Sequence, residues 1–167
     1  MTMKVATRID PKPSKIRRLS RLRPGQWSLL IEAAIALAKA RLIVATRSPA
    51  DLMPRLGRMM VDDLPTDYPA CNADDARRAV RIGWAVRRAA GYMPFRAMCF
   101  EQALAARAML DRRGIPATVH YGVAAGAGQS LLAHAWTRAG AQPITGYPLQ
   151  KRFQEIARFA SRRGQDT

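Results

Sequence analysis

The sequence holds few of the residues that build metal sites or disulfide frameworks. Its two cysteines are Cys71 and Cys99 and its two histidines His120 and His134, with no ligand cluster at the spacing of a zinc site and no even-numbered cysteine scaffold of the small secreted kind. A long uninterrupted apolar run is also missing. The best one, WSLLIEAAIALAKARLIVA at residues 27–45, is broken by Glu32, Lys39 and Arg41, which fits a packing helix better than a bilayer span. The amino end, MTMKVATRIDPKPSKIRR, carries no apolar segment and no small-residue cleavage site of the secretory kind. The expectation is a cytoplasmic protein with two free thiols, for which membrane-surface association through residues 27–45 and their basic flanks is a secondary reading.

Acid is scarce as well. Asp and Glu number 12 against 28 Lys and Arg, a formal charge of +16, which creates an attractive field for an acidic peptide, an anionic surface or nucleic acid. No helix-turn-helix, zinc or aromatic-platform signature accompanies the charge, so specific nucleic-acid binding is not expected. With 49% hydrophobic and 24% charged residues over 167 positions, the composition is that of one globular domain with a core of its own.

Residues 1–25, with Arg17, Arg18, Arg21 and Arg23 among Pro11, Pro13, Pro24 and Gly25, read as a basic arm. Residues 26–62 read as an N-terminal helical region and 63–167 as the core. In the helix over 27–45, Leu30, Ala33, Leu37 and Val44 fall near one face. Ser48 and Pro49 open a short second helix through Met60, and residues 62–75 form a loop. Asn72 or Asp74 can cap a helix over 76–90 that Gly91 ends, with Val80, Gly83, Trp84 and Val86 inward. Pro94 breaks the chain, and from Ala97 helical period returns, with Leu104, Ala108 and Leu110 inward and Gly114 as the stop. Alternation then marks strands in IPATVHYGVAAG, LLAHAWTRAG and QPITGY. Phe153, Ile156 and Phe159 suggest a last helix over 150–161. The fold class is α+β: N-terminal helices, a small antiparallel sheet, and a helix.

This order puts Cys99 in the first turn of a helix, where unpaired amides and the positive dipole end favour the nucleophilic thiolate. Cys71 lies instead among Asp67, Asp74 and Asp75, whose negative charge disfavours it. His134 falls on a strand 35 residues later (134 − 99), beyond a helix and a hairpin turn, far enough for the chain to return past the helix start. Cysteine on a helix and histidine on a strand are the nucleophile and base of papain-like and transglutaminase-like enzymes. Taken alone, Cys99 reads as a small buried hydrophobe, His134 as a core histidine, Trp136 as core, and His120 as packed or solvent-facing.

MCFEQALAARAMLDRRGIPATVHYGV followed by AHAW resembles the transglutaminase-like core of the leader peptidases of lasso-peptide biosynthesis, in the short form without a fused leader-recognition domain. The resemblance runs from about Tyr92 to Ala160 and takes in the apolar helix at 27–45. It implies a cysteine protease that cuts a ribosomally made precursor peptide between leader and core, with Cys99 and His134 as its catalytic residues and no metal or organic cofactor. It also implies two partners, a small leader-binding protein and a separate ATP-dependent lasso cyclase. The pattern in its fullest form has an acidic residue about a dozen positions after the histidine, where this chain reads GAQPITGYPLQ. The group orienting His134 is therefore sought among Thr145, Gln142, Gln150, Glu155 on the last helix, or a backbone carbonyl.

Two other readings stand beside this one. In the first, the protein is a basic nucleic-acid-binding or scaffold protein whose cysteine and histidine are structural. In the second, the fold is the same but an amine replaces water, giving transglutaminase-like acyl transfer.

Overall fold

The structure is a computed structural model, and it describes residues 22–48, 51–52, 58–60, 71–126, 130–149 and 153–160. Most of the basic arm and of the loop at 62–75 therefore lies outside the described residues, as does Gln150.

Among the described residues, three long helices form one layer. Helix α1 spans Pro24–Thr46; proline suits its first turn, where an amide would have no helical acceptor. Leu30, Ala33, Leu37 and Ala40 make its buried stripe, packed against the two helices that follow. Among the described residues no helix is long and apolar enough to cross a membrane.

Helix α2 spans Ala73–Ala90, and Gly91 is its C-cap. Its cap is Asn72, whose Oδ1 accepts from the amide of Asp75 over 2.8 Å. Asp74 and Asp75 in the first turn and Arg87 and Arg88 in the last complement the dipole. The buried stripe runs through Ala79, Ile82, Val86 and Ala89, which turns Val80 outward, contrary to expectation. Gly83 lies where the helix meets the sheet: a Cβ there would stand 2.5 Å from the carbonyl oxygen of Ile144.

Helix α3 spans Cys99–Asp111. Ala103, Ala106, Met109 and Leu110 are buried, and Ala108, expected inward, is exposed because the stripe falls on its neighbours. Buried Arg107 bonds Asp111 and the carbonyls of Ala117 and Ala160, tying α3 to the sheet. After the helix, Gly114 at φ +65° lets the amide of Ile115 return to the carbonyl of Leu110.

Among the described residues the sheet holds five strands: β1 (Arg58–Met60), β2 (Thr118–Ala125), β3 (Leu131–Ala139), β4 (Gln142–Thr145) and β5 (Gln154–Ala160). Their spatial order is β1-β5-β2-β3-β4, and every neighbouring pair is antiparallel. Two sequence expectations are corrected here. Residues 58–60 end the proposed second helix as a strand, and residues 154–160 are a strand where a helix was expected over 150–161. The spacing of Phe153, Ile156 and Phe159 marked no helical face: Phe159 is buried and Ile156 is 54% exposed. The segment is extended because it fills the gap between β1 and β2 and pairs with both. Those pairings come from residues distant in sequence, so local period cannot reveal them.

The main core joins α1, α2 and α3 with Ile115, Ala117, Ala139 and Ile144. A second cluster, of Ala40, Ala103, Leu104, Val119, Ala135 and Phe159, seats α1 and α3 on the sheet. Truncating a wholly buried member such as Leu37 or Phe159 removes about 2–5 kcal/mol of stability.

Candidate active site

Cys99 is the first residue of α3 and is half-buried. The helix start is held by Glu101, a buried carboxylate whose two oxygens do separate work. Oε2 accepts from the amide of Met98 over 3.0 Å, and Oε1 accepts from Arg41 of α1 over 3.2 Å. Sequence reading passed over Glu101, although an acid three residues after the cap position is a recognisable capping signal. Phe100 stands edge-on to Tyr121 of β2, with ring centroids 6.4 Å apart. Tyr121 is in turn the Cα partner of Ala135, so α3 begins at the level of the sheet where His134 lies.

His134 belongs to the residue set of β3 that alternates with Ala135. Ala135 packs toward α3, and His134 shares the other face with Trp136, its ring 6.1 Å from the indole. No hydrogen bond joins Cys99 to His134 among the described residues. The partner of His134 is a main-chain group: its Nε2 lies 2.8 Å from the carbonyl oxygen of Gly146. A carbonyl only accepts, so Nε2 carries the hydrogen and a neutral ring keeps its lone pair on Nδ1.

The described side chains expected to orient His134 are engaged elsewhere or remote. Thr145, fully buried, donates to the hydroxyl of Thr137 over 3.0 Å. Gln142 is exposed at the start of β4 and pairs with Ala139. Glu155, on β5 and not on a helix, lies 3.0 Å from Nδ1 of His120 and also accepts from Arg158.

The backbone carbonyl among the expected alternatives is that of Gly146, a residue the sequence did not single out because a carbonyl has no letter of its own. The available signal was the glycine itself. At φ +81° it occupies the left-handed region, and a Cβ would meet the Ala135 carbonyl at 2.5 Å and Trp136 Cβ at 2.7 Å.

His120 is buried, not solvent-facing. Burial pushes its imidazole down from the usual range, and the hydrogen bond and charge of Glu155 oppose this only in part, with Arg158 and Arg138 adding to the downward push. The resting state is a neutral ring donating Nδ1–H to the carboxylate. For Glu155, burial alone raises the carboxyl, but the bonds from Arg158 and His120 outweigh it and hold it below the ordinary range. Burial pushes the Cys71 thiol up, and Asp75 adds to the effect, which disfavours its thiolate. Among the described residues no group of three or more His, Cys, Asp and Glu could hold a metal ion.

An antiparallel sheet covered by helices, with a cysteine opening the helix on the sheet and a histidine on a central strand, defines an α+β protein of the cysteine-on-helix, histidine-on-strand class. Residues 34–158 match the transglutaminase-like superfamily, and the chain belongs to it. No curated protein and no solved structure matches the chain.

Proposed function

We propose that the protein is a cysteine peptidase acting on a ribosomally made peptide, in particular the leader peptidase of a lasso-peptide pathway, with Cys99 as nucleophile and His134 as general base. The observation that carries the catalytic part is the bond from His134 Nε2 to the Gly146 carbonyl. It orients the ring as an acid does in a full triad and leaves Nδ1 to take the thiol proton.

The thiolate sulfur attacks the scissile carbonyl carbon, the C–N bond breaks, and the imidazolium returns its proton to the leaving amine. Water, deprotonated by the same nitrogen, then cleaves the thioester and regenerates the thiol. Amides at the start of α3, that of Cys99 included, would hold the oxyanion in this reading.

In this reading the ring is the fixed partner, and the start of α3, which follows the irregular residues 91–98, approaches it. That approach would run around the edge of β3, which β4 pairs only from Thr137 onward.

The peptide substrate is supported by the sequence resemblance around Cys99 and AHAW. The +16 charge suits docking of an acidic leader or leader-binding protein, with the cyclase acting on the released core. The test is cleavage of the precursor in the presence of the leader-binding protein. One cut between leader and core is expected, lost in Cys99→Ala with the fold retained, and full cleavage by that variant removes Cys99 from the mechanism. Added amine separates hydrolysis from acyl transfer, the other chemistry of this superfamily, through the mass of the product.

A further inference from the structure

Four rings are stacked across the face of the sheet that carries His134. His120 and Trp136 lie 5.4 Å apart at 4°, Trp136 and His134 6.1 Å apart at 20°, and His134 and Phe153 5.0 Å apart at 28°. The imidazole of His134 is thus held between an indole and a phenyl ring, with its Nε2 edge on the Gly146 carbonyl.

The stack is anchored at its far end. His120 is buried and bonded to Glu155, which also accepts from Arg158, so the ring backing Trp136 is tied to β5. Trp136 has no spare room. A Cβ on Gly122 would stand 2.9 Å from its ring atoms and 2.8 Å from the Gln154 carbonyl, and one on Gly146 would stand 2.7 Å from its Cα and Cβ. Two glycines on the chain segments flanking β3 therefore allow the indole to lie flat where it supports His134. A hydrophobic core needs bulk at this place but not parallel rings, nor an imidazole as the third member of the row.

We propose that Trp136 and Phe153 are positioning residues for His134, clamping its ring so that Nε2–H stays on Gly146 and Nδ1 remains the base nitrogen. His120, fixed by Glu155, is the backing of the clamp. The consequence for catalysis rests on the peptidase reading above; the clamp itself does not.

Two measurements on the full chain keep these apart. Long-range ¹H–¹⁵N NMR reads the His134 tautomer directly, and iodoacetamide reads Cys99. In the unmodified protein the NMR experiment is expected to show one tautomer, hydrogen on Nε2. Trp136→Leu and Phe153→Leu should give averaged tautomers, while Trp136→Phe and Phe153→Tyr keep the single form. Gly122→Ala, which drives a methyl into the indole, should behave like Trp136→Leu. The leucine variants should also slow Cys99 alkylation by about tenfold or more, with rescue by the aromatic replacements, as misplacement of a catalytic group does. A His134 tautomer unchanged in folded Trp136→Leu and Phe153→Leu overturns the clamp. A tautomer that changes while Cys99 alkylation does not leaves the clamp standing and overturns the dyad.

Discussion

His134 Nε2 meets the carbonyl oxygen of Gly146 at 2.8 Å, twelve residues further along the chain. Just past the last residue of β4, Thr145, a main-chain acceptor thus holds the ring that in the full pattern leans on an acid. A neutral acceptor fixes the tautomer but stabilises the imidazolium less than a carboxylate does. Cysteine tolerates this better than serine, because its thiol ionises more easily.

The pair should be visible without any substrate. Iodoacetamide is expected to alkylate Cys99 at least about tenfold faster than Cys71 near neutral pH, and His134→Ala should remove most of that advantage. Mass mapping of the two alkylated peptides over time makes the comparison. Equal slow labelling would favour a scaffold in which both thiols are structural.

Gly146→Ala tests the carbonyl. The new methyl meets a φ of +81° and the Ala135 carbonyl, so a loss of about 1–2 kcal/mol from the left-handed backbone alone is expected, together with a slower reaction at Cys99. Urea melts measure the first and alkylation the second. A variant that melts lower yet labels at the original rate shows that the carbonyl does not act through His134.

Acid should weaken the fold through His120. Its folded-state ionisation lies below the ordinary value of 6.5, so as pH falls below that value the unfolded chain takes up the proton first. Stability is therefore complete above about pH 6.5 and declines as pH falls toward the folded-state value. Denaturant melts across pH 7.5 to about 5, a window set by the ordinary histidine value, should show this slope, and His120→Asn should flatten it. Glu155 and Glu32, both held low, add their losses only at more acid pH, below the ordinary carboxylate value.

Glu32 clamps α1 to the end of α3. Its Oε1 accepts from Arg112 over 2.7 Å and its Oε2 from Arg113 over 2.6 Å. Arg112 is largely exposed, so Glu32→Gln should cost only about 1 kcal/mol, less at high salt. A double-mutant cycle with Arg113→Gln, repeated at two ionic strengths, reads the coupling. Coupling that ignores salt would contradict an electrostatic clamp.

Local chemistry was readable wherever it repeats over short range. Asn72 and Gly91 bound α2 because one side chain accepts an orphan amide and the other residue ends the helix. Cys99 opens α3 because Pro94 stops regular structure before it and helical period returns after it. The alternation of LLAHAWTRAG gave β3 and placed His134 with Trp136. Where neighbours compete for a residue, local pattern failed. Val80 and Ala108 point outward because the packing of three helices chose stripes one position away. Residues 154–160 are a strand because β1 and β2 supply hydrogen-bond partners on both sides.

The sequence by itself determined the helix-borne cysteine, the strand-borne histidine and the absence of an acid a dozen residues later, since each is a matter of residue type and spacing. Only the tertiary structure decided what holds His134, because a carbonyl is present at every residue and becomes a partner solely through the path of the backbone. The same holds for Glu155. Its carboxylate was a candidate for His134 from sequence, and the register of β5 against β2 gave it to His120 instead.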